Sequence, residues 1–90
     1  SFSADPSYKY VVKAQDTTKK FDLFFVPSDA EKQMFDAGKK FDYYSDINCI
    51  GLGKSVQSGT CKNVVDTGGL LIINSENNEK ITVTVHIEEK

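Results

Sequence analysis

The sequence predicts a mainly β fold: a single small antiparallel β-sandwich of six or seven strands over residues 1–90, with one short helix at about 29–37 and one disulfide. Three observations lead there. Apolar and polar residues alternate with a period of two over several stretches, the pattern of strands with one solvated face. One segment replaces that pattern with helix-start chemistry. The two cysteines, Cys49 and Cys61, bracket a glycine-rich loop, and an even pair in so short a chain reads as a disulfide made in an oxidising compartment.

Taken in chain order, Tyr8, Tyr10, Val12 and Ala14 alternate with Lys9, Val11 and Lys13, which makes a first strand. A second puts Phe21, Leu23 and Phe25 on one face and Phe24 on the other, and the polar residues 15–20 between the two read as a hairpin connection. After Pro27, Ser28 precedes Glu31 by three residues, a capping box whose two side chains would each satisfy an orphan backbone amide. Asp29 suits the positive end of the helix dipole, and Gly38 stands where a left-handed cap is wanted. Ala30, Met34 and Ala37 share a face at helical spacing, with Phe35 beside it, so about two turns should cross one end of the sheet. Residues 62–65 form a weaker strand, Asp66-Thr67-Gly68-Gly69 a turn, and residues 70–73 a strand apolar on both faces. Residues 75–79 are a turn-rich link. The last strand points Ile81, Val83, Val85 and Ile87 one way and Thr82, Thr84, His86 and Glu88 the other. The expected core is Phe21, Leu23, Phe25, Leu71, Ile73, Ile81, Val83, Val85 and Ile87.

Composition bounds the function. The chain is 39% hydrophobic and 27% charged, the balance of a globular domain, with a net charge of -2. All of its cations are lysines. Without the arginine fork that reads phosphates and guanine edges, a nucleic-acid partner is not expected. No apolar run approaches a transmembrane segment, and the opening Ser1-Phe2-Ser3-Ala4, with neither initiator methionine nor signal peptide, suits a mature secreted product or a trimmed one. No cofactor is expected.

The strand Asp22-Leu23-Phe24-Phe25-Val26, followed later by Gly69-Leu70-Leu71-Ile72-Ile73-Asn74 and Ile81-Thr82-Val83-Thr84-Val85, resembles short β-sandwich domains of the Golgi-dynamics (GOLD) and immunoglobulin-like type. The resemblance covers about half the chain. It implies a noncatalytic extracellular binding or cargo-recognition module. The sequence departs from antibody domains in having no tryptophan, and cysteines twelve positions apart cannot be the usual inter-sheet pair of such domains.

Chemistry is sparse. A cysteine nucleophile needs a base, and the single histidine, His86, falls on the solvated face of the last strand, so no catalytic residue is assigned. Asp42, Asp46 and Asn48 are spaced like part of a calcium loop but lack its central glycine and distant glutamate, and no metal site is assigned. The echo of Lys19-Lys20-Phe21-Asp22-Leu23-Phe24 in Lys39-Lys40-Phe41-Asp42-Tyr43-Tyr44 reads as the same way of starting a strand, its lysines being solvated strand ends. Two candidate binding features remain. Phe24 with Tyr43 or Tyr44 would form an aromatic anchor for a protein or surface ligand. Lys54-Ser55, inside the cysteine loop, would present a lysine to the acidic pocket of a serine protease, although Gly51 and Gly53 equally suit a flexible connection. The expected function is therefore a secreted, noncatalytic interaction module, with a serine-protease inhibitor or a structural subunit of an extracellular assembly as alternatives.

Overall fold

A computed structural model describes residues 5–74 and 80–90; the expected link at 75–79 and the first four residues lie outside it. Six strands form two antiparallel sheets: β1 Tyr8–Ala14, β2 Phe21–Val26, β3 Ile50–Lys54, β4 Val56–Cys61, β5 Gly69–Asn74 and β6 Val83–Glu89. Helix α1, Asp29–Asp36, and a 3-10 turn at Ile47–Cys49 separate β2 from β3. One sheet runs β4-β1-β6 and the other β3-β2-β5. β1 and β2 thus sit at the two sheet centres. Tyr10, Val12 and Ala14 of β1 face Phe21, Leu23 and Phe25 of β2 across the core, with the Tyr10 and Phe25 rings 5.1 Å apart. Each fully buried side chain of this size stabilises the fold by roughly 1.5–3 kcal/mol.

The sheet order overturns the hairpin expected at residues 15–20. β1 and β2 do not pair; the link carries the chain from one sheet to the other, folded locally by Thr18 N–H and Oγ1 donating to Asp16 Oδ1. Two strands with apolar faces on the same side are better satisfied facing each other across a core than lying side by side. The steps from β3 to β4 and from β5 to β6 change sheet in the same way, at the same end of the sandwich.

The glycine-rich loop is a pair of strands, not a flexible connection. Gly51 allows close approach: a Cβ there would come within 2.8 Å of the Gln57 side chain. Gly53 adopts φ 61 and donates its N–H to Asp22 Oδ1 at 2.8 Å, where the β2–β3 register shifts. Residues 62–65 are not a strand. Asn63 turns with φ 59 and buries Val64, whose N–H reaches Pro6 O.

The helix forms without its capping box. Ser28 is extended but its side chain makes no cap bond, and Glu31 reaches forward, its Oε1 accepting from Asp42 N–H at 2.7 Å. Its end is as expected: Gly38, at φ 70, donates to Phe35 O and Lys39 N–H to Met34 O, the paired bonds of a Schellman motif. Of the residues read on its apolar side, only Phe35 packs. Ala30, Met34 and Ala37 are exposed, and the helix attaches through Phe35, edge-on to Phe41 at 5.8 Å.

Two core assignments also change. Leu70 and Ile72 pair with Phe25 and Leu23 and pack inward, so Leu71 and Ile73 take the opposite face. The last strand starts at Val83, with Ile81 packed just before it. Val85 and Ile87 do lie on the inward side, opposite Val12 and Tyr10, yet they are 46% and 44% exposed.

Candidate functional site

The first candidate, the aromatic surface, is mostly a cover. Phe24 lies on the outer face of β2 and is only 8% exposed, because Phe41 and Tyr43 stack over it at 5.3 and 5.1 Å. The echo segment is therefore not a second strand start; it is an irregular strap, fixed by Tyr44 N–H donating to Phe25 O. Its alternation persists, as expected of adjacent tyrosines. Tyr43 faces outward at 44% exposure, while Tyr44 packs on the core and its hydroxyl accepts from Val65 N–H at 3.0 Å. Phe24 and Tyr44 are thus structural, and Tyr43 alone of the three presents a substantial aromatic surface.

The second candidate, Lys54-Ser55, sits at a sheet-changing corner. Lys54 ends β3 opposite Phe21, Ser55 is half-buried, and its carbonyl accepts from Ala14 N–H at 2.8 Å. At the other end of the same two strands the Cys49–Cys61 disulfide closes the sandwich edge, with Cα atoms 4.9 Å apart. It joins the 3-10 turn leading into β3 to the end of β4, and so ties the two sheets together at this edge. A short separation suffices because the intervening chain goes up one sheet and down the other.

Beside the disulfide the polar groups are fully engaged. Tyr10 Oη donates to Asn48 O at 2.7 Å and accepts from Gln57 Nε2 at 3.1 Å, and Gln57 Nε2 also lies 3.4 Å from Ile50 O. Burial raises the Tyr10 pKa above its ordinary value; the Gln57 hydrogen bond opposes the rise and the Asp46 charge adds to it. Asp46, one of the three calcium-loop residues, instead caps the 3-10 turn through Asn48 N–H at 2.8 Å. His86 is exposed on β6, with Nε2 3.8 Å from Glu88 Oε1. Both thiols are consumed in the disulfide, and among the described residues no three metal-ligating side chains gather.

The opposite edge of the sandwich is open, and sequence reasoning did not find it. β5 and β6 are the edge strands of their sheets on this side, and between them a cleft of about 210 Å³ is lined by Tyr8, Phe25, Val64, Leu70 and Ile87. Gly68 and Gly69 form its floor at the start of β5. Its lining side chains are apolar apart from the Tyr8 hydroxyl, backbone groups are exposed beside them, and each lip carries a row of backbone groups with no neighbouring strand among the described residues. Such an arrangement accepts an extended chain: backbone bonds to a lip, alternate apolar side chains into the cleft. The β6 alternation was visible in the sequence, but alternation specifies which way a side chain points and not whether an opposing strand covers it.

No helix among the described residues is long and apolar enough to cross a membrane. No family model, curated protein or solved structure matches the chain.

Proposed function

We propose that this protein is a noncatalytic interaction module of the extracellular space that takes an extended polypeptide segment at the β5–β6 mouth. The observation that carries this reading is the coincidence of a cleft with apolar lining side chains and two strand edges, on the same side of the sandwich, that have no neighbouring strand among the described residues. An apolar cleft alone suits many small molecules; free edges beside it select a ligand with a backbone to pair. The disulfide supports an oxidising compartment, and the absence of a free thiol removes the cysteine nucleophile from consideration.

The reading is checked by titrating isotope-labelled protein with capped synthetic peptides of alternating valine and threonine. Amide shifts should concentrate in β6, β5 and Tyr8. N-methylation of alternate peptide amides should abolish them. Shifts confined to the strap around Phe41 and Tyr43, or none at all, would refute the site.

A further inference from the structure

We infer that the extended segment taken at this mouth is β6 of a second copy of the same chain, paired antiparallel about a two-fold axis at Thr84. The inference rests on the proposed mouth and names its occupant. Gln15 N–H donates to Thr82 O, and Lys90 N–H to Ser7 O, so the even-numbered residues of β6 turn their backbone groups toward β1. Val83, Val85, Ile87 and Glu89 therefore present their N–H and C=O groups to the free edge. Over Val83–Ile87 that edge lacks the usual protections: the β1–β6 register runs without a bulge and these residues include no proline, lysine or carboxylate, the charges of Glu88 and Glu89 coming only at its end.

Over residues 80–88 this edge is complementary to itself in one register. With the axis at Thr84, Val83 lies opposite Val85 of the partner subunit and Ile81 opposite Ile87 of the partner subunit, all on the inward side. On the outward side Lys80 meets Glu88 of the partner subunit, twice by symmetry, and Thr84 meets its own equivalent. Moving the axis to Val85 sets Lys80 against Lys90, and moving it to His86 sets Val83 against Glu89. β5, the other lip, has no charged residue in Gly69–Asn74 to fix a register. Pairing in the Thr84 register joins the two three-stranded sheets into one of six. It also covers the half-exposed Val85 and Ile87 of each copy.

Sedimentation equilibrium of the whole chain, from micromolar to millimolar concentration, measures this directly. The expected result is a reversible dimer of twice the 10.0 kDa chain mass. Lys80→Glu and Glu88→Lys each replace two facing ion pairs by repulsion and should weaken association about tenfold, while the double exchange restores it. Both positions are exposed, so the variants should keep the parent circular dichroism. A chain that stays monomeric at millimolar concentration overturns the inference. If the valine–threonine peptides still shift β6 in that monomer, the proposed mouth stands with a different occupant; if they do not, both readings fall. Dimers indifferent to the charge exchanges overturn the register and with it the inference.

Discussion

Replacing Tyr10 by phenylalanine isolates one hydroxyl at the closed edge of the sandwich. The ring contact with Phe25 is retained, so packing changes little, but Asn48 O loses a 2.7 Å donor and Gln57 Nε2 loses its acceptor at 3.1 Å. Gln57 keeps the weaker contact to Ile50 O at 3.4 Å, so the principal loss falls on the Asn48 carbonyl. A part-buried acceptor stripped of its partner costs about 1–2 kcal/mol. In a domain of this size each kcal/mol lowers the melting temperature by roughly 4–8 °C. Urea unfolding followed by circular dichroism should show that loss at neutral pH. Alkaline pH gives an independent readout. The folded hydroxyl titrates above the unfolded one, so its stabilising contribution is complete below about pH 10 and is lost as pH rises through the folded value. The gap between parent and variant should therefore hold constant up to that point and then narrow. A variant as stable as the parent, or a gap unchanged in strong alkali, would refute the argument.

Removing the disulfide by Cys49→Ser with Cys61→Ser frees a loop of sequence separation 12 and should cost about 3 kcal/mol in chemical denaturation; an unaltered midpoint would mean that the edge is held by its strands alone. Gly68→Ala places a methyl 2.6 Å from Val64 Cγ1 and 2.9 and 3.0 Å from the Val65 and Val26 carbonyl oxygens. Because two of those neighbours are backbone, the cost should be about 1–3 kcal/mol, and a melting temperature equal to the parent's would show that the β5 start yields. Phe24→Ala should destabilise by about 3–5 kcal/mol, whereas Tyr43→Ser should cost much less, because only Phe24 is buried; equal losses in thermal melts would contradict the description of Tyr43 as the outer member of the stack.

Strands were legible because burial of one face leaves a period-two trace, which β1 carries with one interruption at Val11 and β6 carries more strictly. What no local pattern encodes is the partner. Tyr8–Ala14 and Phe21–Val26 look alike as hairpin arms and as opposed sheet centres, and only the demand of each for two neighbours separates the cases. β3 and β4 were hidden for the opposite reason. Residues such as Gly51, Gly53, Gln57 and Ser58 have low strand preference, and tertiary pairing with β1 and β2 overrides it. The candidate site divides the same way. Tyr43 and Tyr44 were correctly set on opposite sides, but the cover over Phe24 depends on Phe41 returning from beyond the helix, and the open mouth depends on which strands end each sheet.

The pairing of Tyr8 with Glu89 imposes an order of events on a chain delivered from one end. β1 is the first strand to emerge and β6 the last, yet β1 is a sheet centre only when β6 has arrived. Until then one side of the earliest strand lies bare, with lysine at positions 9 and 13 as its charged residues. The 49–61 crosslink, by contrast, spans a sequence separation of only 12, so the residues it joins are close in the chain as well as in the fold. The β1–β6 pairing is therefore a non-local contact of the kind that slows folding, and a chain cut short ahead of Val83 lacks the strand that completes its first sheet.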